Sequence, residues 1–266
     1  MIEGLLKEKD DLATSRDIPH LSHSRINRYL LCPEQYRFYY IENLRLKFPS
    51  ANLVFGQVVH QALADLFNKK SDPIDCFLGA WAEMKDVPLT YGKKQTWDNL
   101  QETGQGLLQK FVKDEVRRIG HVKSVEKKFE LNITGLDLPF IGVIDLVAQV
   151  DRINTVADFK TAASDYEKHE APLSDQLTAY QLAESEAEQV AYWVMIKTKE
   201  PKIEWHPSNR SPERLMEYIS KVGYVAKQIK AGEFYKRPGK HCSWCDYLPI
   251  CLGDKRKTEE TLVQVE

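Results

Sequence analysis

The sequence predicts an α/β fold, because its apolar residues follow a helical period early in the chain and a strand period later. Apolar residues between Phe55 and Phe67 recur at i, i+3, i+4 and i+7, which places them on one face of a helix. From about residue 125 the period becomes two, with Phe129, Leu131 and Ile133 separated by polar residues. We therefore expect one compact domain with helical additions.

The bulk composition indicates a soluble, cytoplasmic protein with no membrane partner. The 266 residues are 42% hydrophobic, enough to bury a core without disulfides. No run of about 18 apolar residues occurs, and the first residues lack a signal-peptide pattern. The net charge of −2 means that any contact with nucleic acid must come from local basic patches. Five cysteines in an intracellular chain favour ligands or core thiols over disulfides.

Charge and helix patterns divide the chain into three parts. Residues 1–20 are charged and lack an apolar period, which predicts a mobile leader. A single domain is expected at 21–253, and residues 254–266 are expected to be a C-terminal tail. Within the domain, Pro33 divides an early helical pattern, and a helical insertion is predicted at about 74–118.

Turn-forming residues divide the second half of the chain into short elements. Asp151 and Asn154 are turn formers, so the apolar runs on either side of them predict a hairpin. Pro172 and Ser174 predict the start of a helix. The predicted elements are strands at 140–148, 155–160 and 190–196, helices at 172–186 and 211–232, and a cysteine-bearing loop at 234–253.

Two carboxylates and a lysine lie in the apolar strands of the predicted hairpin. Asp158 and Lys160 are two residues apart, so they share one face of their strand. A turn centred on residues 152 and 153 would place Asp145 opposite Lys160. Such carboxylates can hold a hard cation such as Mg²⁺, while the lysine orients or activates water for phosphodiester hydrolysis. The alternative is ordinary strand-end charges, but buried carboxylates are costly unless they are paired or bind metal.

Two helical pairs at i, i+4 spacing supply further polar groups. His60 lies beside the apolar helix face, four residues after Gly56, where a missing side chain lets other groups approach. Gln176 and Tyr180 also share one helix face, where they could contact DNA or support the metal site. The alternative roles are a packing histidine and an ordinary half-buried helix face.

The order of these motifs resembles the RecB-type branch of the PD-(D/E)XK nuclease superfamily. The motifs are Gly56-x-x-x-His60, Gly142-x-x-Asp145, Asp158-x-Lys160 and Gln176-x-x-x-Tyr180, within about residues 20–252. The resemblance implies a restriction-endonuclease-like α/β core with a mixed sheet flanked by helices, dependence on Mg²⁺ or Mn²⁺, and DNA cleavage. It further implies metal ligands at His60, Asp145, Asp158 and the carbonyl of Phe159, with Lys160 catalytic and Gln176 and Tyr180 in support.

The cysteine spacing predicts a metal cluster that joins the two ends of the domain. Cys242, Cys245 and Cys251 form a C-x2-C-x5-C array, and Cys32 is the one early cysteine in a suitable motif. Four thiolates divided in this way can hold a [4Fe-4S] cluster, with a Cys₄ zinc site as the alternative. The division resembles iron–sulfur nucleases of the AddB and CRISPR-adaptation type. Cys76 remains as a free, buried thiol.

The resemblance implies an exonuclease on single-stranded DNA ends, with 5′ to 3′ polarity, in DNA repair, recombination or CRISPR adaptation. A helicase or adaptation complex is the expected protein partner. The competing functions are a non-catalytic DNA-binding or scaffolding subunit and an unrelated zinc-stabilised module. Basic and aromatic residues near both ends predict a channel for single-stranded DNA, with a solvated helix face and core aromatics as the alternative. They are Arg25, Arg28, Tyr36, Arg37, Tyr40, Phe234, Tyr235, Lys236, Arg237 and Lys240.

Overall fold

The computed structural model describes residues 20–265. Its helices are α1 (His23–Leu31), α2 (Pro33–Tyr36), α3 (Ala51–Lys69), α4 (Pro73–Glu83), α5 (Trp97–Asp114), α6 (Glu170–Leu173), α7 (Asp175–Ala183), α8 (Pro212–Lys230), α9 (Leu248–Leu252) and α10 (Lys255–Thr261). Its strands are β1 (Leu44–Leu46), β2 (Ile119–Leu131), β3 (Phe140–Val150), β4 (Ile153–Ala162), β5 (Gln189–Ile196), β6 (Lys202–Ser208) and β7 (Leu262–Gln264). Within these residues, no helix is long and apolar enough to cross a membrane.

A five-stranded mixed sheet forms the centre of the fold. The strand order is β2-β3-β4-β5-β6, with β4 and β5 parallel and the other neighbours antiparallel. On one face, Phe159 and Trp193 pack with apolar residues of α3, α4 and α5. On the other face, Val156 and Val190 pack with Leu177 of α7. The predicted α/β fold with a mixed sheet flanked by helices is therefore confirmed.

The β3–β4 hairpin has a different register from the predicted one. Asp151 and Arg152 have φ angles of 52° and 71°, as a two-residue type I′ turn requires. The turn centre is therefore one residue earlier than predicted, and the register ends at the pair Leu146 and Ala157. One further step along this register places Asp145 across from Asp158. The prediction that Asp145 lies opposite Lys160 is wrong, because moving a turn centre by one residue shifts the pairing by two.

The helical segment at 74–118 packs against the α3 side of the sheet. Its helices α4 and α5 bury Phe77 and Trp81, whose rings stack with centroids 6.0 Å apart. The indole N–H of Trp81 donates to the carbonyl of Trp97, 3.1 Å away. Gly104 of α5 provides the space for Phe77, since a Cβ at this glycine would lie 2.1 Å from the ring. The two helices therefore form a closely packed pair.

The two ends of the described chain are joined to the body of the fold. The N–H of Leu21 donates to Pro139, and Leu21 accepts from Ile141, so the entering chain pairs beside β3. Strand β1 pairs antiparallel with β7, so the segment predicted to be a C-terminal tail contributes α10 and a strand. The predicted leader at 1–20 lies outside the described residues, apart from His20.

Two alanine substitutions should test the α4–α5 packing. We expect Gly104→Ala to lower the free energy of unfolding by about 1–3 kcal/mol, because the new methyl group overlaps Phe77. The control is Gly79→Ala, at an exposed glycine of α4 with nothing within 4 Å of an added Cβ. This change should stabilise by about 0.4–1 kcal/mol. Urea denaturation measures both, and equal effects would contradict the packing.

Candidate active site

The candidate site forms where β3 and β4 separate. Their pairing ends at Leu146 and Ala157, although both strands continue. Beyond that point, the N–H of Phe159 donates to Oδ2 of Asp145 at 2.9 Å. The hydroxyl of Tyr180 lies 2.7 Å from the carbonyl oxygen of Val143, to which it donates. Side chains therefore satisfy backbone groups near the point where the β3–β4 pairing ends, as buried polar groups require.

Asp145 and Asp158 are buried carboxylates, each 1% exposed. Nζ of Lys160 lies 2.7 Å from Oδ2 of Asp158, so the predicted sharing of one strand face is confirmed for this pair. Burial is the largest single influence and acts to lower the pKa of Lys160, but the charges of Asp158, Tyr192 and Asp145 and the hydrogen bond to Asp158 together outweigh it, so the pKa is raised. Lys160 is therefore an ammonium that partly offsets the two buried carboxylates.

Helix α7 brings Gln176 and Tyr180 to this pair. Oε1 of Gln176 accepts from Nζ of Lys160 at 2.7 Å, and its Nε2 donates to Oδ1 of Asp158 at 2.9 Å. The same Nε2 donates to the Tyr180 hydroxyl at 2.9 Å. The hydroxyl of Ser174 caps the helix by accepting from the N–H of Leu177. The i, i+4 spacing thus places an amide and a phenol within hydrogen-bond distance of the Asp158 carboxylate.

Helix α3 brings His60 to the other carboxylate. Nδ1 of His60 lies 3.1 Å from Oδ2 of Asp145. Gly56, one turn earlier, lies against β4, where an added Cβ would be 3.3 Å from Oγ1 of Thr161. A larger side chain at this position would push the helix away from the strand. The close approach of α3 therefore determines whether His60 reaches Asp145.

The donor set has the chemistry of a divalent-cation site. Within residues 20–265, no three His, Cys, Asp or Glu side chains converge at metal-binding distance. The groups that do adjoin are two carboxylates and an imidazole, opposed by one ammonium, and their excess negative charge suits a hard cation. A residue's N–H and C=O point to the same side of a strand, so the Phe159 carbonyl faces the side where Asp145 lies. The residues fit the ion that the resemblance implies.

Two residues that sequence reasoning missed, Tyr192 and Arg210, also support this network. The hydroxyl of Tyr192 lies 2.5 Å from Oγ of Ser174, and its ring centroid is 5.2 Å from Nζ of Lys160. Burial raises the pKa of Tyr192 to about 12. Arg210 donates to Oγ1 of Thr178 at 2.8 Å and to the Ser174 carbonyl, which fixes the start of α7. The parallel pairing of Tyr192 with Asp158 was the missing signal, since it depends on a crossover.

The cysteines predicted to bind a cluster come from both ends of the domain. Cys32 lies between α1 and α2, and the Gln35 amide lies 3.4 Å from Sγ of Cys245. Burial raises the pKa of Cys245 and of Cys251, and Cys32 raises both further. The N–H of Cys245 donates to the carbonyl of Cys242, which closes a tight turn. Gln35, three residues after Cys32, thus contacts the C-terminal array, but among residues 20–265 no three cysteines converge at metal-binding distance.

The aromatic part of the predicted DNA channel is instead largely core. Tyr36 is 3% exposed and stacks on Phe234 with centroids 5.9 Å apart. Arg25 lies over the ring of Tyr40 at 4.2 Å. These rings are occupied by protein neighbours, so bases cannot stack on Tyr36. The predicted channel is wrong for this residue, although Tyr235 remains 59% exposed.

Comparison with known proteins agrees with this geometry. The model of the PD-(D/E)XK nuclease superfamily matches residues 20–252. The fold is similar to a candidate exonuclease from Eubacterium rectale, with a TM-score of 0.57 and 13% identity over 91% of this chain and 93% of that one. It is also similar to SSO0001, with a TM-score of 0.50 and 17% identity over 94% and 96%. No curated protein matches the sequence.

The fold and the site together define a restriction-endonuclease-like core. Its features are the mixed sheet flanked by helices and the buried carboxylates and lysine where two strands separate. The chain belongs to the PD-(D/E)XK nuclease superfamily, whose model covers most of its length. Nucleases of this superfamily generally use divalent metal ions such as Mg²⁺ or Mn²⁺. At such low identities, the two solved structures support the fold alone.

Removing one hydroxyl should test the role of Tyr180 in holding the site. We expect Tyr180→Phe to lower the free energy of unfolding by about 1–3 kcal/mol, because the Val143 carbonyl loses its donor, the Gln176 amide loses an acceptor, and the contact between the hydroxyl and Asp158 is lost. The matched control is Tyr218→Phe, since the buried Tyr218 hydroxyl has no hydrogen-bond partner among the described residues. That change should leave stability unchanged or raise it. Equal losses in urea denaturation would count against the network.

Proposed function

We propose that the chain is a metal-dependent deoxyribonuclease that hydrolyses phosphodiester bonds. The observation that carries the proposal is the arrangement of Asp145, Asp158 and Lys160 where β3 separates from β4. We propose further that it is an exonuclease on single-stranded DNA ends with 5′ to 3′ polarity, of the RecB-type branch. The ordered lysine and carboxylates favour a catalytic role over a scaffolding one, because a scaffold has no need to bury such charges.

Four groups would hold the metal ion, namely the carboxylates of Asp145 and Asp158, His60, and the carbonyl of Phe159. An ion bound there would supply an activated water and would neutralise charge on the phosphate. Lys160 is fixed by Asp158 and Gln176, so its ammonium can orient water or a phosphate oxygen. Tyr180 and Gln176 keep Asp158 in position through hydrogen bonds to Oδ1. Contacts among the chain's own residues support the proposed roles of Lys160, Gln176 and Tyr180.

We propose that Cys32, Cys242, Cys245 and Cys251 hold a [4Fe-4S] cluster. The support is the spacing of the four cysteines, together with the contact at 3.4 Å between the Gln35 amide, three residues after Cys32, and Sγ of Cys245. Such a cluster would clamp the N-terminal helices to the C-terminal loop. A helicase or CRISPR-adaptation complex is the partner we propose for a nuclease of this kind, in repair, recombination or adaptation. These partners rest on the resemblance described above.

Substitutions at the charged groups should separate catalysis from folding. We expect Lys160→Ala and Asp145→Ala each to lower the rate of DNA cleavage at least about a hundred-fold, while circular dichroism stays unchanged. The assay uses end-labelled single- and double-stranded DNA, linear and circular, with Mg²⁺ or Mn²⁺. The labelled products also report polarity. An exonuclease that starts at the labelled end releases the label at once, whereas one that starts at the opposite end shortens the strand that still carries the label.

The matched control is Lys110→Ala, at a lysine paired with Asp114 on the outer helix α5. It should cleave as the wild-type protein does. Normal cleavage by Lys160→Ala would remove the proposed site, whereas absent cleavage by every variant and the wild type would remove the proposed activity.

Substitutions of cysteine should test the cluster in anaerobically purified protein. We expect Cys32→Ala and Cys245→Ala to lose the broad visible absorption of an iron–sulfur cluster and to melt at a lower temperature, since metal binding contributes to folding. The control is Cys76→Ala, whose thiol lies on α4, outside the array. Full iron content in Cys32→Ala would contradict its assignment as a ligand, and zinc in place of iron would contradict the cluster.

A further inference from the structure

A surface cleft of about 360 Å³ adjoins the catalytic lysine and is not used by the proposed chemistry. It lies between α1 and the segment that joins β4 to α7. Its lining includes His23, Asn27, Tyr166, His169, Ser174 and Tyr192. Pockets for small ligands typically measure about 300–1,000 Å³, so this cleft suits one compact group.

The cleft and the active site share a wall. Tyr192 lines the cleft, while its hydroxyl contacts Ser174 at 2.5 Å and lies 3.5 Å from Oε1 of Gln176. The same Gln176 oxygen accepts from Lys160. A group in the cleft would therefore lie close enough to a phosphate held at the lysine for both to belong to one nucleotide. This continuity points to a part of the same substrate.

Tyr166 presents an ordered ring on the other side of the cleft. Its N–H donates to Oε2 of Glu204 at 3.2 Å, which ties the loop to β6. Its ring meets Tyr192 edge to face, with centroids 5.9 Å apart, and lies 6.0 Å from His206. Glu204 is itself held by Lys202 and His206. A ring fixed in this way loses little conformational entropy when it stacks on a ligand.

The charge of the cleft selects the uncharged part of a nucleotide. Glu170 and Asp175 line it, Lys221 pairs with Asp175 at 2.7 Å from outside the lining, and the described lining itself contains no lysine or arginine. With no lysine or arginine in its lining, the cleft offers a phosphate little attraction, whereas a base can stack on an aromatic ring. Asn27 offers an amide donor and acceptor to the edge of a base.

We propose that this cleft binds the nucleoside next to the scissile phosphate, with its base stacked on Tyr166. The inference rests on the proposed nuclease function, since it specifies how the substrate of the same site binds. It predicts that the protein needs a base at one defined position from the cleaved bond. A phosphodiesterase that reads only the backbone would have no such requirement.

The test combines an abasic site in the DNA with removal of the ring. Single-stranded oligonucleotides carry one abasic position, moved stepwise along the strand. At one position, the wild-type protein should lose about ten-fold in kcat/KM, mainly through KM. Tyr166→Ala should show that loss on intact DNA and no further loss at that position. Tyr166→Phe should retain the wild-type pattern, and so should Tyr224→Ala, which removes a 63% exposed tyrosine of α8.

Binding measured on a Lys160→Ala background separates this inference from the activity. Fluorescence anisotropy with the same oligonucleotides should give the same dependence on one base, with and without Tyr166. If the losses in kcat/KM from Tyr166→Ala and from the abasic position add, or if every abasic position causes the same loss, base binding in the cleft is overturned. The nuclease activity is not. Position-dependent binding without cleavage by the wild type would overturn the nuclease but not the cleft. If Tyr166→Ala loses its circular dichroism signal, Tyr166→Leu replaces it, and wild-type insensitivity to every abasic position still overturns the proposal.

Discussion

The separation of β3 from β4 beyond Leu146 and Ala157 is the feature on which the site depends. Strands that stayed paired would use their backbone groups within the ladder and leave no room between them. Here the Asp145 carboxylate accepts the N–H of Phe159, and the Tyr180 hydroxyl donates to Val143. The groups that stabilise the opening are thus the groups that line the site. A mutation that closed the opening would remove the site with it.

Charge compensation explains why several elements must meet at this opening. Two buried carboxylates cost folding free energy unless cations or hydrogen bonds offset them. Lys160 and Gln176 serve Asp158, while Phe159 and His60 serve Asp145. These partners come from β4, α7 and α3, so the apolar packing of two helices on opposite faces of the sheet positions the polar groups.

Local periodicity predicted the elements and the pair Asp158 and Lys160, because residues two apart in a strand share a face whatever the fold. It failed where geometry is not periodic. Strand β2 begins at Ile119, earlier than the predicted 125, since register shifts between Ile119 and Ser124 interrupt the alternation. The predicted helix at 172–186 is divided at Ser174, whose backbone is extended.

The site was predictable only in part, because its remaining contacts depend on topology. Nothing local in the sequence places Tyr192 beside Lys160, since parallel strands pair through a crossover. Tyr166 depends likewise on Glu204 of a strand that comes later in the chain. Gly56 carried a usable signal, because a glycine on a helix one turn before a histidine marks a close approach. Turn type fixed the register, and the positive φ of Arg152 was not readable from its side chain.

Helix α1 connects the cysteine array to the cleft. It has nine residues and is therefore about 13 Å long, with Cys32 directly after its last residue. His23, at its other end, and Asn27, at its middle, line the cleft beside Tyr166. The side chains of Ile26 and Tyr29 are buried, so packing against the core holds the helix along its length. If Cys32 holds the proposed cluster, that cluster would fix one wall of the cleft and would thereby affect how the proposed substrate binds.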